Sequence, residues 1–291
     1  MNNAKLVAKT HPDHTSIISI TPHLSVGGKD LFIVGGPCSI ESMSQMETIA
    51  ASLQNAPVQA LRGGIYKPRT SPYAFQGIGD VGLDILTAIN QRYGLPVITE
   101  VMAIHQIEKL AEYADVLQVG SRNMQNFDLL KALGAIDKPI LLKRGLAATV
   151  TEFVMAAEYI ASHGNSKIIL CERGIRSFDN YTRNVLDLGA VVALKQITHL
   201  PVLVDPSHAT GKRELVAPLA RAAVAAGADG LMIECHPTPE QSISDARQTM
   251  SLEAMVDLVD SLRPIAQAVG RSIHPVPTNA DLNSREVAIA G

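Results

Sequence analysis

The chain has 291 residues, 46% apolar and only 4% aromatic with no Trp, and its net charge is −3 with His neutral. That length suffices for one large domain with an aliphatic core, and the charge excludes wholesale binding to nucleic acid or an anionic membrane. No run approaches the ~18 apolar residues of a membrane span, and residues 1–10 lack an apolar signal region. The three cysteines, Cys38, Cys171 and Cys235, have no paired spacing, which argues against a disulfide framework and for a reducing compartment; a cytoplasmic protein is expected.

Residues 1–30 read as a short N-terminal extension, with a strand over Ser16–Ile20 and a turn over Ser25–Lys29 around Gly27-Gly28. Eight short apolar runs follow: Leu31–Val34, Gln59–Arg62, Pro96–Thr99, Val116–Val119, Pro139–Leu142, Lys167–Leu170, Pro201–Val204 and Gly230–Ile233. The period of the intervening segments predicts helices over Met43–Gln54, Gly82–Tyr93, Ala103–Ala111, Phe127–Ala135, Val150–His163, Asn184–Thr198, Glu214–Ala226 and Leu252–Val269. Eight alternating strand–helix units over 31–270 read as a (β/α)8 TIM barrel, an α/β fold. A doubly wound open sheet is the competitor, and the lack of a Gly-rich dinucleotide loop after the first run favours the barrel. Residues 271–291 are polar, carry Pro275, Pro277 and Asn279, and are expected to form a mobile tail.

Barrel active sites lie at the C-terminal strand ends, and polar residues crowd those positions here. Arg62, Lys67, Arg69, Arg122, Lys143 and Arg173 all follow strand candidates, so closure would gather them around one mouth. An acidic chain that concentrates cations in this way expects a polyanion. Any one of them alone would be a solvated loop charge. Cys38, His208, Glu234 and Asp245 arise after the first, seventh and eighth candidates, and the first and eighth strands of a closed barrel are neighbours. One thiolate, one imidazole and two carboxylates suit a borderline divalent ion such as Mn, Fe, Co or Zn. Spacing alone also permits an inert buried Cys38 thiol and a capping or core His208. Alternation places Met232, Glu234 and His236 on one face of the eighth strand; His236 therefore either supports the Glu234 site or simply packs. Cys171 and Cys235 read as core residues.

Together the strand ends resemble the type I 3-deoxy-D-arabino-heptulosonate 7-phosphate (DAHP) synthases, and within them the β branch. The resemblance is carried by Gly36-Pro37-Cys38-Ser39-Ile40-Glu41-Ser42, Arg62-Gly63-Gly64, Lys67-Pro68-Arg69-Thr70-Ser71, Gly120-Ser121-Arg122-Asn123-Met124-Gln125-Asn126, Lys143-Arg144-Gly145, Glu172-Arg173-Gly174, Asp205-Pro206-Ser207-His208 and Glu234-Cys235-His236. It implies a transferase of the shikimate pathway that condenses phosphoenolpyruvate with erythrose 4-phosphate, requiring a divalent metal and no organic cofactor. It implies Cys38, His208, Glu234 and Asp245 as metal ligands. It implies Arg122, Lys143 and Arg173 at phosphoenolpyruvate with Arg62 and Lys67 lining that pocket. Lys67, Pro68, Arg69 and Thr70 match the erythrose 4-phosphate motif. Glu100 matches an acidic residue near the reacting carbons; Lys143, Glu100 and His208 are the unranked candidates for proton handling, and Lys67 is counted with them among the catalytic residues.

The sister family, the 3-deoxy-D-manno-octulosonate 8-phosphate synthases, carries Lys-Ala-Asn-Arg-Ser where this chain has Lys67-Pro68-Arg69-Thr70-Ser71. Pro68-Arg69 favours the four-carbon aldose phosphate over arabinose 5-phosphate. A non-catalytic barrel that binds a phosphosugar, or serves a regulatory partner, is the alternative of another class; it should have lost a ligand or a cation, and all are present. The short extension leads us to expect little direct inhibition by Phe, Tyr or Trp unless a separate regulatory protein docks. A homotetramer is the assembly the resemblance implies.

Overall fold

A computed structural model describes residues 4–275. A hairpin comes first, β1 (Ile18–Thr21) paired antiparallel with β2 (Leu24–Val26). Then follow β3 (Phe32–Gly36), α1 (Met43–Leu53), β4 (Ala60–Arg62), α2 (Val81–Tyr93), β5 (Val97–Val101), α3 (Ile107–Tyr113), β6 (Val116–Val119), α4 (Phe127–Gly134), β7 (Ile140–Lys143) and α5 (Val150–Ala161). The chain continues with β8 (Ile168–Glu172), α6 (Leu188–Ile197), β9 (Val202–Val204), α7 (Pro206–Thr210), α8 (Arg213–Ala225), β10 (Gly230–Glu234) and α9 (Leu252–Ala268). Strands β3 to β10 are parallel and close into an eight-stranded barrel, β10 pairing with β3 from Gly230 opposite Phe32 to Glu234 opposite Gly36. The (β/α)8 expectation is met, and the open sheet is excluded by that closure.

Strand alternation divides the core in two. Leu31, Ile33, Leu61, Val97, Leu117, Ile140, Leu142, Val202 and Ile233 point outward and pack under the helices. Phe32, Val34, Ala60, Ile98, Val116, Leu141, Ile169, Cys171, Leu203 and Met232 point inward and fill the barrel. Ile18 and Val26 join this inner cluster with Ile20 and Leu24 against it. The N-terminal hairpin is therefore an apolar plug for the end of the barrel where the strands begin. Here the structure corrects the reading of Ser25–Lys29 as a turn. The chain reverses at Pro22-His23, and Ser25 and Val26 belong to β2 because Val26 is fully buried against the plug. A Pro in the second position of a turn was the available signal.

Two helix starts also move. Asp187 Oδ1 accepts from Ala190 N at 2.8 Å and caps α6, so residues 184–187 belong to the preceding loop rather than to the helix. The third helix opens as a 3₁₀ turn over Ile104–Gln106 before α3. Arg271 and Ser272, the first residues of the expected tail, are bonded to the barrel. Arg271 pairs with Asp229 at 2.6 Å and donates to Gly28 O at 3.1 Å, and Ser272 bridges to Asp30. The rest of the tail expected over 271–291, from residue 276 on, lies outside the described residues.

Candidate active site

Alternation places the chemistry. Along each barrel strand the inward positions are two residues apart, and the last of them opens at the mouth. Inward Ala60 is followed by Arg62, Ile98 by Glu100, Val116 by Gln118, Leu141 by Lys143, Leu203 by Asp205 and Met232 by Glu234. Cys171 is followed by Arg173, and Val34 and Gly36 by Cys38. The residues between them brace the barrel instead. Arg144 pairs with Glu172 at 2.9 Å and with Asp187 at 3.0 Å. Cys235 packs in the outer core. Gly36 (φ +139°) cannot be replaced at the top of β3, since a Cβ there would lie 2.2 Å from Arg62 O. Gly120 leaves the space that Glu100 uses: a Cβ would meet Glu100 Oε1 at 2.1 Å.

Cys38, His208, Glu234 and Asp245 converge. One donor atom from each lies within 4.8 Å of all the others. His208 Nε2 is 3.0 Å from Glu234 Oε1, and Cys38 Sγ is 3.0 Å from Asp245 Oδ2. Asp205 orients the imidazole: Oδ1 accepts from His208 N at 2.9 Å, starting α7, and Oδ2 lies 2.6 Å from His208 Nδ1. This leaves Nε2 facing the cluster, the arrangement in which a carboxylate fixes a metal-binding imidazole. Glu234 is held from three sides: Arg62 donates to Oε1 at 2.7 Å, Gln248 to Oε2 at 2.9 Å, and the Glu234 amide to Ser207 Oγ at 3.0 Å. Asp245 has φ +60°, unique for a non-Gly residue among the described residues, so its loop holds the carboxylate in place against backbone strain. The donor set and its supports fit a divalent cation.

Around the cluster lies a cavity of about 400 Å3. Every predicted cation lines it: Arg62, Lys67, Arg69, Arg122, Lys143 and Arg173, together with Pro68, Thr70 and Glu100. Lys143 is tied to Asp205 at 2.5 Å, and Lys67 donates to Cys38 O at 3.0 Å and stands 4.0 Å from Glu100. Arg62 Nε and Arg173 Nη1 are buried with no hydrogen-bond partner among the described residues. Both residues line the cavity, and guanidinium groups gathered around one cavity call for an anion. Glu234, of the donor cluster, belongs to the wall behind Arg62 rather than to the cavity lining.

The electrostatics follow from these contacts. Burial opposes charge on His208, but Asp205 and Glu234 overcome it and push the imidazole up to about 10. Burial would raise Glu234, and His208 and Arg62 pull it down to about 2 instead. Asp205 and Asp245 are likewise held ionised well below the usual carboxylate range against burial, Asp205 by His208 and Lys143, Asp245 by His208, Cys38 and Arg183. Burial alone lowers the Arg173 guanidinium more than Asp205 restores it. Without a metal the imidazole therefore carries a proton up to about pH 10, and that proton must leave before Nε2 can act as a ligand. Uptake of Mn²⁺ or Zn²⁺ at pH 8 should release at least one proton per ion, and affinity should rise about tenfold per pH unit below that value. Calorimetry in buffers of different ionisation enthalpy measures the release; uptake without it would contradict the His208 assignment.

Sequence reasoning missed several lining residues. Gln118, Arg176, Arg183 and Asn184 also face the cavity. Gln118 shares the inward parity of Val116, a signal that was available. Arg176, Arg183 and Asn184 sit on the long loop between β8 and α6, where no period marks the inward side. Arg183 donates to Asp245 Oδ1 at 2.9 Å. Asp205 belonged to a quoted motif but had been given no role. His236 lies on the Glu234 face; its Nδ1 accepts from Thr238 N at 2.9 Å, and its Nε2 stands 3.6 Å from Glu41.

Fold and site define a (β/α)8 barrel whose mouth holds a cation-lined cavity beside four donors that could hold a metal ion. The model of the DAHP synthetase I family matches residues 15–268, and the chain belongs to that family. It is 47% identical over 271 residues to a phospho-2-dehydro-3-deoxyheptonate aldolase of Thermotoga maritima, covering 93% of this chain and 80% of the relative. A crystal structure of the phospho-2-dehydro-3-deoxyheptonate aldolase (DAHP synthase) from Thermotoga maritima superposes with a TM-score of 0.89 at 45% identity, over 94% of this chain and 80% of that one. A 2-dehydro-3-deoxyphosphooctonate aldolase of Acidithiobacillus ferrooxidans is 34% identical over 262 residues, 84% of this chain and 92% of the relative. No helix among the described residues is long and apolar enough to cross a membrane.

Proposed function

We infer that this chain is a DAHP synthase, joining phosphoenolpyruvate to erythrose 4-phosphate and water to give DAHP and inorganic phosphate. The observation that carries the reading is that three of the four cluster donors, Cys38, His208 and Asp245, line the same cavity as the cation set, with Glu234 directly behind them. In the reaction, C3 of the enol attacks the aldehyde carbon, water adds at C2, and the resulting hemiketal phosphate loses phosphate by C–O cleavage. Arg122, Lys143 and Arg173 hold phosphoenolpyruvate, with Arg62 and Lys67 beside it, so its carbon is presented at a fixed angle. Arg69 and Thr70 take the phosphate of the aldose, and Pro68 restricts the backbone that carries them. A divalent ion held by Cys38, His208, Glu234 and Asp245, of the Mn, Fe, Co or Zn class, would supply Lewis acidity toward the aldehyde oxygen. Lys67 would deliver a proton to that oxygen as charge develops, and Glu100, 4.0 Å from it, would take one from water. Lys143, paired with Asp205, would present a positive charge to the developing anion, while Asp205 holds the His208 imidazole in the orientation that leaves Nε2 free for the ion. The three buried free cysteines agree with a cytoplasmic location, and self-association into a homotetramer is part of the same reading.

The second reading, an octulosonate 8-phosphate synthase, rests on the 34% relative. The two separate on substrate choice. Metal-loaded protein should prefer erythrose 4-phosphate to arabinose 5-phosphate by ~100-fold in kcat/KM, about 2.7 kcal/mol of transition-state binding. Phosphate release with each aldose at subsaturating concentration measures the ratio. Equal efficiency with the five-carbon sugar would reverse the assignment.

A further inference from the structure

Arg69 and Asp245 are given separate tasks above, one at the aldose phosphate and the other in the metal cluster. A single hydroxyl joins them. Arg69 Nη2 donates to Ser244 Oγ at 2.7 Å, and Ser244 Oγ in turn donates to Asp245 Oδ2 at 3.2 Å. That same carboxylate oxygen accepts from Cys38 Sγ at 3.0 Å. Ser244 is only 2% exposed, so water does not compete for its hydroxyl. Its backbone is pinned by Ser242 Oγ, which donates to Ser244 O at 2.7 Å, and the next residue sits at the strained φ of +60°. Arg69 has its own tether, Nε donating to Phe75 O at 3.0 Å, which leaves Nη2 as the end of the guanidinium committed to Ser244.

We propose that Ser244 is a positioning residue that couples the aldose-phosphate arginine to the metal cluster, so that occupancy of one changes affinity at the other. The proposal rests on the assignment of Arg69 to the aldose phosphate. A phosphate on Arg69 competes with Ser244 Oγ for the guanidinium donors. The hydroxyl then loses its donor, and its bond to Asp245 Oδ2 changes in strength or direction. Asp245 has few other ways to respond, because Arg183 holds its second oxygen at 2.9 Å and Thr249 Oγ1 holds its carbonyl at 2.9 Å. The effect therefore falls on the Oδ2 and Cys38 side of the cluster. By linkage the coupling is reciprocal: the metal changes affinity for the phosphate by the same factor.

The test uses the full chain, stripped of metal and titrated with Co²⁺, with and without erythritol 4-phosphate. This probe carries the aldose phosphate but no aldehyde. Co²⁺ affinity and the thiolate-to-cobalt absorption band are read directly, independently of turnover. In the unaltered protein the probe should change Co²⁺ affinity by ~5-fold or more and shift the band. S244A should bind Co²⁺ and the probe separately with the factor falling to about one, and S244T, which keeps the hydroxyl, should restore it. R69A should lose both the probe and the coupling. If S244A keeps the full factor, or the unaltered protein binds both partners with no coupling, the proposal is overturned while the assignment of Arg69 stands. If the unaltered protein does not bind the probe, or R69A binds it undiminished, the assignment itself fails and the coupling with it.

Discussion

Replacing Cys38 by alanine will lower turnover at one equivalent of metal by at least ~10³-fold while leaving the barrel folded. Cys38 is the sole sulfur of the cluster and is 2% exposed, with Sγ 3.0 Å from Asp245 Oδ2. Its loss removes one of four donors and leaves Asp245 without that partner. A Lewis acid contributes several kcal/mol to a carbonyl addition, and each 1.36 kcal/mol is about tenfold in rate. Chelation of the unaltered protein should reach the same floor. Alanine fits the cavity left by the thiol, so circular dichroism and the melting temperature of the metal-free protein should change little. Steady-state assay at stoichiometric metal decides the matter; full turnover in the alanine variant would remove Cys38 from the ligand set.

Lys143→Met will be more damaging than the removal of any exposed cation, for two additive physical reasons. Lys143 and Asp205 form a pair in which both side chains are at most 5% exposed, 2.5 Å apart. Removing one partner leaves a buried charge uncompensated, and breaking such pairs costs about 3–5 kcal/mol. Asp205 also orients His208, so the imidazole loses part of its fixed position. If Lys143 also grips phosphoenolpyruvate, kcat/KM for that substrate should fall by ~10³-fold or more even at temperatures where the variant is fully folded. A thermal melt run beside the kinetics separates the two contributions. A variant destabilised to that extent but with unchanged kcat/KM below its melting range would make Lys143 a purely structural residue.

The parts of this molecule that could be read from its sequence are those governed by a short period. The eight strands were found because parallel strands buried on both faces are continuous apolar runs, and every observed barrel strand overlaps its expected run. The four clustered donors and the cations are legible because they follow those runs, and the inward parity of Met232 and Glu234 repeats on the other strands. Applied to Val116, the same parity would have brought Gln118 into the site. What the period could not reach lies in loops. Arg183, from the long loop after β8, touches Asp245 some 62 residues further along the chain. The strain at Asp245 and the link through Ser244 depend on backbone angles that no residue pattern in the stretch Ser242–Asp245 announces. The N-terminal hairpin was half seen. Its first strand was expected, but its role as an apolar plug depends on where the chain reverses.

Whether the donor cluster and the cations form one catalytic site is decided by phosphate release from phosphoenolpyruvate by metal-stripped protein, before and after adding one equivalent of a divalent ion. No release is expected from stripped protein, none when either erythrose 4-phosphate or phosphoenolpyruvate is omitted, and full activity on adding a single equivalent of ion, with one DAHP formed per phosphate. Release that persists in the stripped protein, or that proceeds without the aldose phosphate, would show that the Cys38, His208, Glu234 and Asp245 cluster and the cations around it do not form one catalytic site.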